Sequence, residues 1–472
     1  MSDLLVMKFG GTSMGSADRM RVAGGICAGQ RKLRPVVAVV SAMSKITDLL
    51  LDTLRHAEGG DREGLENNLR TLEDRHVATC RELLPAARQP EVLDGIRRII
   101  AEFQRIASGI LMLGERPPRS VDEAVAVGER LSALLMAAHL EAEGVPAQAV
   151  NAAELIVTDA VFGNATPLMD PTRQKAQQRL MPLIRAGVLP VVTGFNGAAP
   201  DGRPTTLGRG GSDFSASILA GVLDATDLWI WTDVDGIMSA DPRLVPNARV
   251  IGEITYAEAA ELAWNGAKVL HPRTLAPLVE KGIPVWSKNS FNLSAPGTKI
   301  VPEVGGPDGP RAVTSMANVA LVSLESADPE LNGALVMSRA LAALAQSNAE
   351  LLAMTSSSYR QSFCFLVRSA ELPAAMASLE TGFALELAHG YLKPFEVDEN
   401  VGLLAVVGEG MRGTPGLAGR IFTAISREDV NIIAIAQGSS ELTICIVVRR
   451  EGLEKAVRAI HDECQLGAAA GR

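Results

Sequence analysis

A basic excess is missing from this sequence. Its 54 acidic residues outnumber 45 Lys and Arg, giving a net charge of −9. That balance argues against nucleic acid as the main partner, because a phosphate backbone demands a basic surface. Long apolar runs are missing too. The N-terminal MSDLLVMKFGG is too short for a signal peptide or membrane span, and no later run of about 18 apolar residues follows. A cytoplasmic protein without a membrane partner is therefore expected. Cysteine is sparse: Cys27, Cys80, Cys364, Cys445 and Cys464 are odd in number, far apart and never in CxxC spacing. Such thiols read as reduced and structural, with no zinc site. A GxxxxGK[ST] sequence is also absent, against a P-loop nucleotide hydrolase. Aromatic residues are only 4% of the chain; 47% is hydrophobic and 21% charged, as in ordinary globular proteins. A length of 472 residues exceeds what one core can serve, so two to four domains are expected.

What is present is a series of short apolar runs, each ending in Gly, Ser, Thr or Asp. Leu4 to Phe9 runs into Gly10-Gly11, and Pro35 to Val40 into Ser41. Val188 to Thr193 leads to a glycine- and proline-rich stretch, and Leu228 to Thr232 ends in Asp233-Val234-Asp235-Gly236. Ile283 to Ser287 follows. Residues 48 to 140 carry a helical pattern, and Thr255 to Glu258 is a capping box for a helix ending near Gly266. Strands alternating with helices predict an α/β sheet with ligands at the carboxyl ends of its strands. At about 295–313 the chain turns Pro- and Gly-rich, the best domain boundary. Beyond it the chain repeats: Glu350 to Val367 aligns with Ile432 to Val448 at an offset of about 82 residues. Each copy reads as strand–helix–strand–strand with a trailing helix, so two small α+β modules are expected.

Several stretches carry chemistry. Leu207 to Val222 (LGRGGSDFSASILAGV) sets Arg209 among three glycines just before a helix start, where free N–H groups and a guanidinium can hold an anion. Lys8 ends the first strand beside Gly10, Gly11, Thr12 and Ser13; phosphoryl transfer needs such a cation with nearby amides, although a bare KxGG is also what an exposed lysine before a turn looks like. Thr232-Asp233-Val234-Asp235-Gly236, with Asp241-Pro242-Arg243, is either an Asp-rich turn or a loop holding a nucleotide and, through water, Mg²⁺. Lys268, past a helix end, is a solvated cap or a ligand contact. Glu129 in GERLS competes with Glu115 in GERPP. Two prolines after Glu115 keep it out of a helix interior, so Glu129 is the better candidate to face an amino group. Gly408-Glu-Gly410-Met-Arg-Gly413 fits a dinucleotide fingerprint, but too little chain remains around it for such a fold.

Together KFGGTS (8–13), VSAMSKIT (40–47), VGERLS (127–132), GRGGSD (208–213), WTDVDGIMSADPR (231–243) and GAKVLHP (266–272) resemble the aspartate kinases of the amino-acid kinase superfamily in order and rough spacing. The repeat, with AIAQGSSE at 434–441, is similar to their paired regulatory ACT domains. The resemblance implies an α/β/α catalytic domain over 1–297, a linker at 298–313, and ferredoxin-like ACT domains at 314–390 and 391–472. It implies transfer of the γ-phosphoryl of MgATP to the β-carboxylate of L-aspartate, giving 4-phospho-L-aspartate. Such a nucleophile is ionised at pH 7 and needs no base. By motif match, Lys8 would stabilise the transferring group and Asp213 would orient it. Arg209 would hold the substrate α-carboxylate and Glu129 its ammonium, with Ser41, Thr47 and Ser212 completing that pocket. Gly10, Gly11, Ser13, Thr232, Asp233, Met238, Arg243, Lys268 and Val269 would join Lys8 around the nucleotide, with Mg²⁺ carried by ATP rather than by the protein.

Two departures stand out: Met238 replaces an aromatic residue common in relatives, and Arg130 an apolar one. The resemblance also implies a homodimer or higher oligomer and an amino-acid effector at the ACT domains, lysine or threonine. The turn Ser326 to Gly333 departs from the glycine-rich pattern usual at effector sites. The product could enter lysine, threonine, methionine or ectoine synthesis. With the sequence ending after the second module, no homoserine dehydrogenase half is expected. The rival readings are another enzyme of the superfamily, acting on glutamate derivatives, carbamate or a nucleoside monophosphate, and a non-enzymatic amino-acid sensor with a dead kinase core.

Overall fold

Why β-strands form first along this chain is visible in β1 (Leu5–Phe9), whose five residues are all buried. A strand buried on both faces needs an unbroken apolar run, broken here only by Lys8. The computed structural model describes residues 3–267, 270–305, 309–327, 332–347, 349–357 and 362–467. They form two compact units. The first comprises residues 1–237, 252–256 and 270–304; the second takes 238–251, 257–269 and 305–472.

In the first unit, β1 is followed by α1 (Ala17–Arg31), β2 (Val36–Val40), α2 (Ile46–Glu58), α3 (Arg62–Leu83), α4 (Gln89–Leu113), α5 (Pro118–Val125) and α6 (Val127–Ala142). Then come β3 (Ala147–Val150), α7 (Met169–Arg185), β4 (Leu189–Thr193), β5 (Asn196–Ala198), β6 (Pro204–Thr206), α8 (Gly211–Val222), β7 (Asp227–Thr232) and β8 (Glu253–Thr255). Past α9 (Tyr256–Trp264), most of which counts with the second unit, lie α10 (Pro272–Val279), β9 (Val285–Asn289) and β10 (Thr298–Val301).

Eight strands form one sheet in the order β3-β4-β2-β1-β7-β9-β10-β8, with β5 and β6 a separate hairpin. All neighbours are parallel except β9 and β10. One face, with Leu5, Met7, Val36, Ala38 and Val40, shares a core with α1 to α6. Val6, Val37 and Val39 point the other way, and α8 packs against β1 with α7 and α10 beside it. The result is three layers, α/β/α. The chain leaves β1 for β2 on one side, while β7 pairs on the other. A crevice opens at such a reversal, outside the strand carboxyl ends.

The second unit adds β11 (Ala312–Leu324), α11 (Gly333–Gln346), β12 (Ala353–Ser357), β13 (Ser362–Arg368), α12 (Leu372–Gly382), α13 (Ala384–Ala388), β14 (Glu396–Val407), α14 (Leu417–Arg427), β15 (Ile432–Gln437), β16 (Thr443–Arg449) and α15 (Leu453–Glu463). Both copies of the repeat follow the expected order of elements. Their strands make one six-stranded sheet, β12-β13-β11-β14-β16-β15.

The two long central strands each serve both copies. Val319 to Leu324 of β11 pair with β13, while Ala312 to Met316 pair with Val407 to Leu403 of β14. Register breaks between Met316 and Val319, where Ala317 and Asn318 are exposed. In the same way Glu396 to Val401 of β14 lie beside the first copy's half of β11, and Val401 to Val407 pair with β16. Each ferredoxin-like module is therefore completed by a strand from the other. Ala320, Phe365 and Phe383 sit in one core, and Val313, Leu404, Ile421 and Ile446 in the other.

The chain thus divides otherwise than at 297, 313 and 390. The supposed connector 298–313 holds β10 and the start of β11, and 238–251 and 257–267 pack with the second module. In that module Ser239 Oγ and His461 Nε2 are 3.0 Å apart, and Glu258 accepts from the Glu409 N–H at 2.7 Å. Gly408 to Gly413, the dinucleotide look-alike, is a short turn after β14. None of the five cysteines is in a disulfide. No helix among the described residues is long and apolar enough to cross a membrane.

Candidate functional site

Lys8 is the penultimate residue of β1, alternating with Met7 and Phe9 so that its side chain leaves the apolar core and points to the α8 face. It is 8% exposed, and its Nζ lies 2.5 Å from Asp213 Oδ1 in the first turn of α8. A carboxylate there also suits the positive end of the helix. The Gly10 turn adds no obstacle: a Cβ on Gly10 would stand 3.5 Å from the Lys8 ammonium.

The loop before α8 owes its shape to Gly208 and Gly210, both at positive φ, 74° and 70°. Gly210 is the residue preceding the first helical turn, and an ordinary side chain would resist that conformation. Arg209 between them is exposed and makes no hydrogen bond or ion pair among the described residues. Ser212 is half-buried, one residue from Asp213. Beyond β4, Phe195 sits at φ 72° and its N–H donates to Ser215 Oγ on α8 at 2.9 Å, tying the two strand-end segments together.

Glu129, in the first turn of α6, is 3% exposed. The neighbouring Gly128 lets α6 approach the β2 loop, since a Cβ there would meet Ala42 Cβ at 2.7 Å. Burial pushes the Glu129 carboxyl up to about 8, opposed by the Ala42 N–H, its own N–H and the Lys8 charge. Its Oε2 has no hydrogen-bond partner among the described residues. Leaving a carboxylate oxygen so placed is costly unless a cation or donor arrives from outside the chain. Arg130, the unusual neighbour, points its charge at Glu102 on α4, 2.6 Å away, so it is already paired. Ser41 follows β2 and Thr47 lies in the first turn of α2, both half-buried. Between them Lys45 takes a left-handed φ of 65°, a conformation non-glycine residues seldom adopt. Glu115, the look-alike, is exposed after the Gly114 that ends α4.

Lys8, Gly10, Gly11, Ser41, Thr47, Thr232 and Asp233 thus lie at or beyond the carboxyl ends of β1, β2 and β7, Arg209, Ser212 and Asp213 at the start of α8, and Glu129 on α6, whose Gly128 abuts the loop after β2. Ser13 belongs to that edge but turns inward. It is wholly buried, its hydroxyl 2.8 Å from Ser290 Oγ and 3.4 Å from the Trp231 carbonyl. Thr232 donates to Asp233 at 3.3 Å, and Asp235 accepts from the amides of Asn289 and Asn292. Met238 and Arg243 belong to the second unit, where Arg243 is exposed and paired with Asp241 two residues away. Lys268 and Val269 lie outside the described residues. No group of three or more His, Cys, Asp or Glu side chains among the described residues is placed to hold a metal ion.

Two features escaped the sequence reading. Asp122 on α5, 2% exposed, takes hydrogen bonds from Gly163 and Thr206. Asn151, Thr193 and Asn196 form a buried amide–hydroxyl network at the end of β4. Neither has a local motif; the only available signal was a carboxylate seven residues before Glu129 in a helical stretch.

Residues 3–289 match the model of the amino acid kinase family, and 404–464 match an ACT domain. Lysine-sensitive aspartokinase 3 of Escherichia coli is 33% identical over 98% of this chain and 99% of its own. This chain belongs to the amino acid kinase family, among the aspartokinases. A crystal structure of E. coli aspartokinase III in complex with aspartate and ADP superposes with a TM-score of 0.84, at 31% identity, covering 98% of this chain and 99% of that one. A bifunctional aspartokinase/homoserine dehydrogenase 1 of Arabidopsis thaliana is 35% identical over 98% of this chain but only 51% of its own length. The chain thus spans about half the length of several aspartokinase relatives that it matches, and nearly all of another.

Proposed function

We propose that this chain is an aspartate kinase, transferring the γ-phosphoryl of MgATP to the β-carboxylate of L-aspartate. The observation that carries the reading is the 2.5 Å Lys8–Asp213 pair at the end of the central strand, beside a buried Glu129 with an unpartnered oxygen. An amino-acid substrate supplies what each group lacks. Its α-ammonium satisfies Glu129, its α-carboxylate meets the unpaired Arg209 fork, and its side-chain carboxylate is held toward Lys8. That carboxylate is ionised at neutral pH, so no base is required. Lys8 and the first-turn amides of α8 then neutralise charge that builds up on the transferring group. Asp213 holds the lysine in place.

ATP is the phosphoryl donor, its phosphates lying over the Gly10–Gly11 turn with Thr232 and Asp233 at their flank. Magnesium bound to the phosphates would neutralise part of their charge. The paired ACT modules bind an amino-acid effector, lysine or threonine, in a homodimer or larger oligomer. The expected effector turn includes Asp328 to Leu331, which lie outside the described residues.

The test is an ATP- and aspartate-dependent hydroxamate assay, run also with glutamate and with carbamate. Aspartate-specific hydroxamate supports the reading; turnover only with another acceptor, or none with any, refutes it. Inhibition by lysine and threonine, singly and together, tests the effector.

A further inference from the structure

We propose that Asp122 is a positioning residue for aspartate recognition, fixing both segments that carry the two arms of the amino-acid clamp, Glu129 and Arg209; this rests on the site reading above. Asp122 is 2% exposed and saturated with donors. Its Oδ2 accepts from the Gly163 and Thr206 N–H groups, each at 2.8 Å, and its Oδ1 from the Thr206 hydroxyl at 2.8 Å.

Thr206 is the last residue of β6, three before Arg209. Gly163 precedes Asn164, whose Oδ1 would lie 2.6 Å from a Cβ on Gly208 and which accepts from Arg273. The same loop is sewn to β6 by the Ala165 N–H, 2.8 Å from the Thr206 carbonyl. Arg209 is thus rooted in a backbone that Asp122 holds from below, although its own side chain has no partner among the described residues. On the other arm, Asp122 stands in α5, which passes through Ala126 directly into α6. Glu129 follows on the first turn of that helix. One carboxylate therefore joins the root of the ammonium acceptor to the root of the carboxylate donor. Their spacing is what distinguishes an α-amino acid from an acid lacking the amine.

A buried carboxylate accepting three hydrogen bonds cannot be replaced by an amide without turning one acceptor into a donor. Asp122→Asn leaves the shape and loses part of the clamp. Thr206→Val removes only the hydroxyl contact.

The experiment measures KM for aspartate, KM for ATP and kcat in Asp122→Asn, Thr206→Val and Arg209→Ala. Thermal unfolding and hydrogen exchange at residues 206–211 accompany it. Expected are an aspartate KM about tenfold higher in Asp122→Asn and a smaller rise in Thr206→Val, in line with turning an acceptor into a donor in the first and losing one of three hydrogen bonds in the second. In Asp122→Asn and Thr206→Val, KM for ATP and kcat should stay within about threefold, and exchange should quicken at 206–211. The Asp122→Asn/Arg209→Ala double variant should show an aspartate KM little above that of Arg209→Ala, because both changes act on one contact. If Arg209→Ala raises the aspartate KM and Asp122→Asn does not, the positioning role is overturned. Equal rises in both KM values, or additive effects in the double variant, overturn it too. If Arg209→Ala itself leaves the aspartate KM unchanged, the clamp reading is wrong, while faster exchange in Asp122→Asn would still show Asp122 anchoring the loop.

Discussion

Two ion pairs of identical length, 2.5 Å, occur at positions the motifs single out. Lys8 and Asp213 come from a central strand and a helix start, with side chains 10% and 21% exposed. Arg243 and Asp241 sit on one turn, with side chains 78% and 32% exposed. Geometry alone would rank them equal. Context separates them: a pair held by strand and helix, shielded from water, keeps a fixed cation where charge must develop, whereas a turn pair two residues apart is screened and owes its geometry to local chain bending. The Asp241 carboxylate does hold the Arg243 guanidinium above its usual range, but that strengthens a charge already permanent.

The comparison breaks most readily at Lys8. Lys8→Ala should lower kcat by about 10³-fold, as loss of a charge donor to the transferring group does. Circular dichroism and melting should remain near those of the parent; near-normal turnover would end the phosphotransfer reading. Asp213→Asn should cost less, about 10- to 100-fold in kcat, because the lysine itself is retained and only its anchor is lost. Single-turnover rates measured alongside would place the loss in the chemical step.

A third test concerns Glu129, whose carboxyl burial raises to about 8. Since the folded value lies above the unfolded one, the folded protein binds more protons between the two. Stability from this group is full below about pH 4.5 and is lost as pH rises through about 8. Aspartate's ammonium favours the ionised form. The aspartate KM should therefore fall by up to about tenfold per pH unit between pH 6.5 and 8. Glu129→Gln should flatten that slope and also remove the alkaline loss of stability seen in thermal melts. A flat KM profile in the parent protein would contradict the assignment of Glu129 to the ammonium. The smallest effect is expected at the surface: Arg243→Ala should change KM for ATP by less than about threefold and leave melting unmoved. A loss comparable to that of Lys8→Ala would mean that the turn pair is not the screened contact it resembles.

Lys8 at a strand end, Arg209 and Asp213 at a helix start and Glu129 inside a helix were legible in the sequence because each stands beside a local signal. Glycines mark the turns, prolines disqualify Glu115, and apolar runs mark the buried strands. Ser13 was misleading for the same reason. Its motif is a good one, but a hydroxyl's direction is set by Ser290, 277 residues away, and no local pattern encodes that. Asp122 was invisible because its partners lie 41 and 84 residues off. The repeat of α+β units was plain in the pattern, yet the exchange of strands between them was not. A thirteen-residue strand reads as one element, and only pairing reveals that its halves belong to different cores.

What the sequence by itself determined is the alphabet: which segments are strands and helices, where chain reversals fall, and which charged residues stand at strand ends. These follow from side-chain period and backbone preference, which act over a few residues. The tertiary structure alone decided which of those charges are buried, which are already paired, and which oxygen of Glu129 is left wanting a partner. Burial and pairing depend on segments that meet across hundreds of residues, and the electrostatic cost of a charge is fixed only once its surroundings are in place.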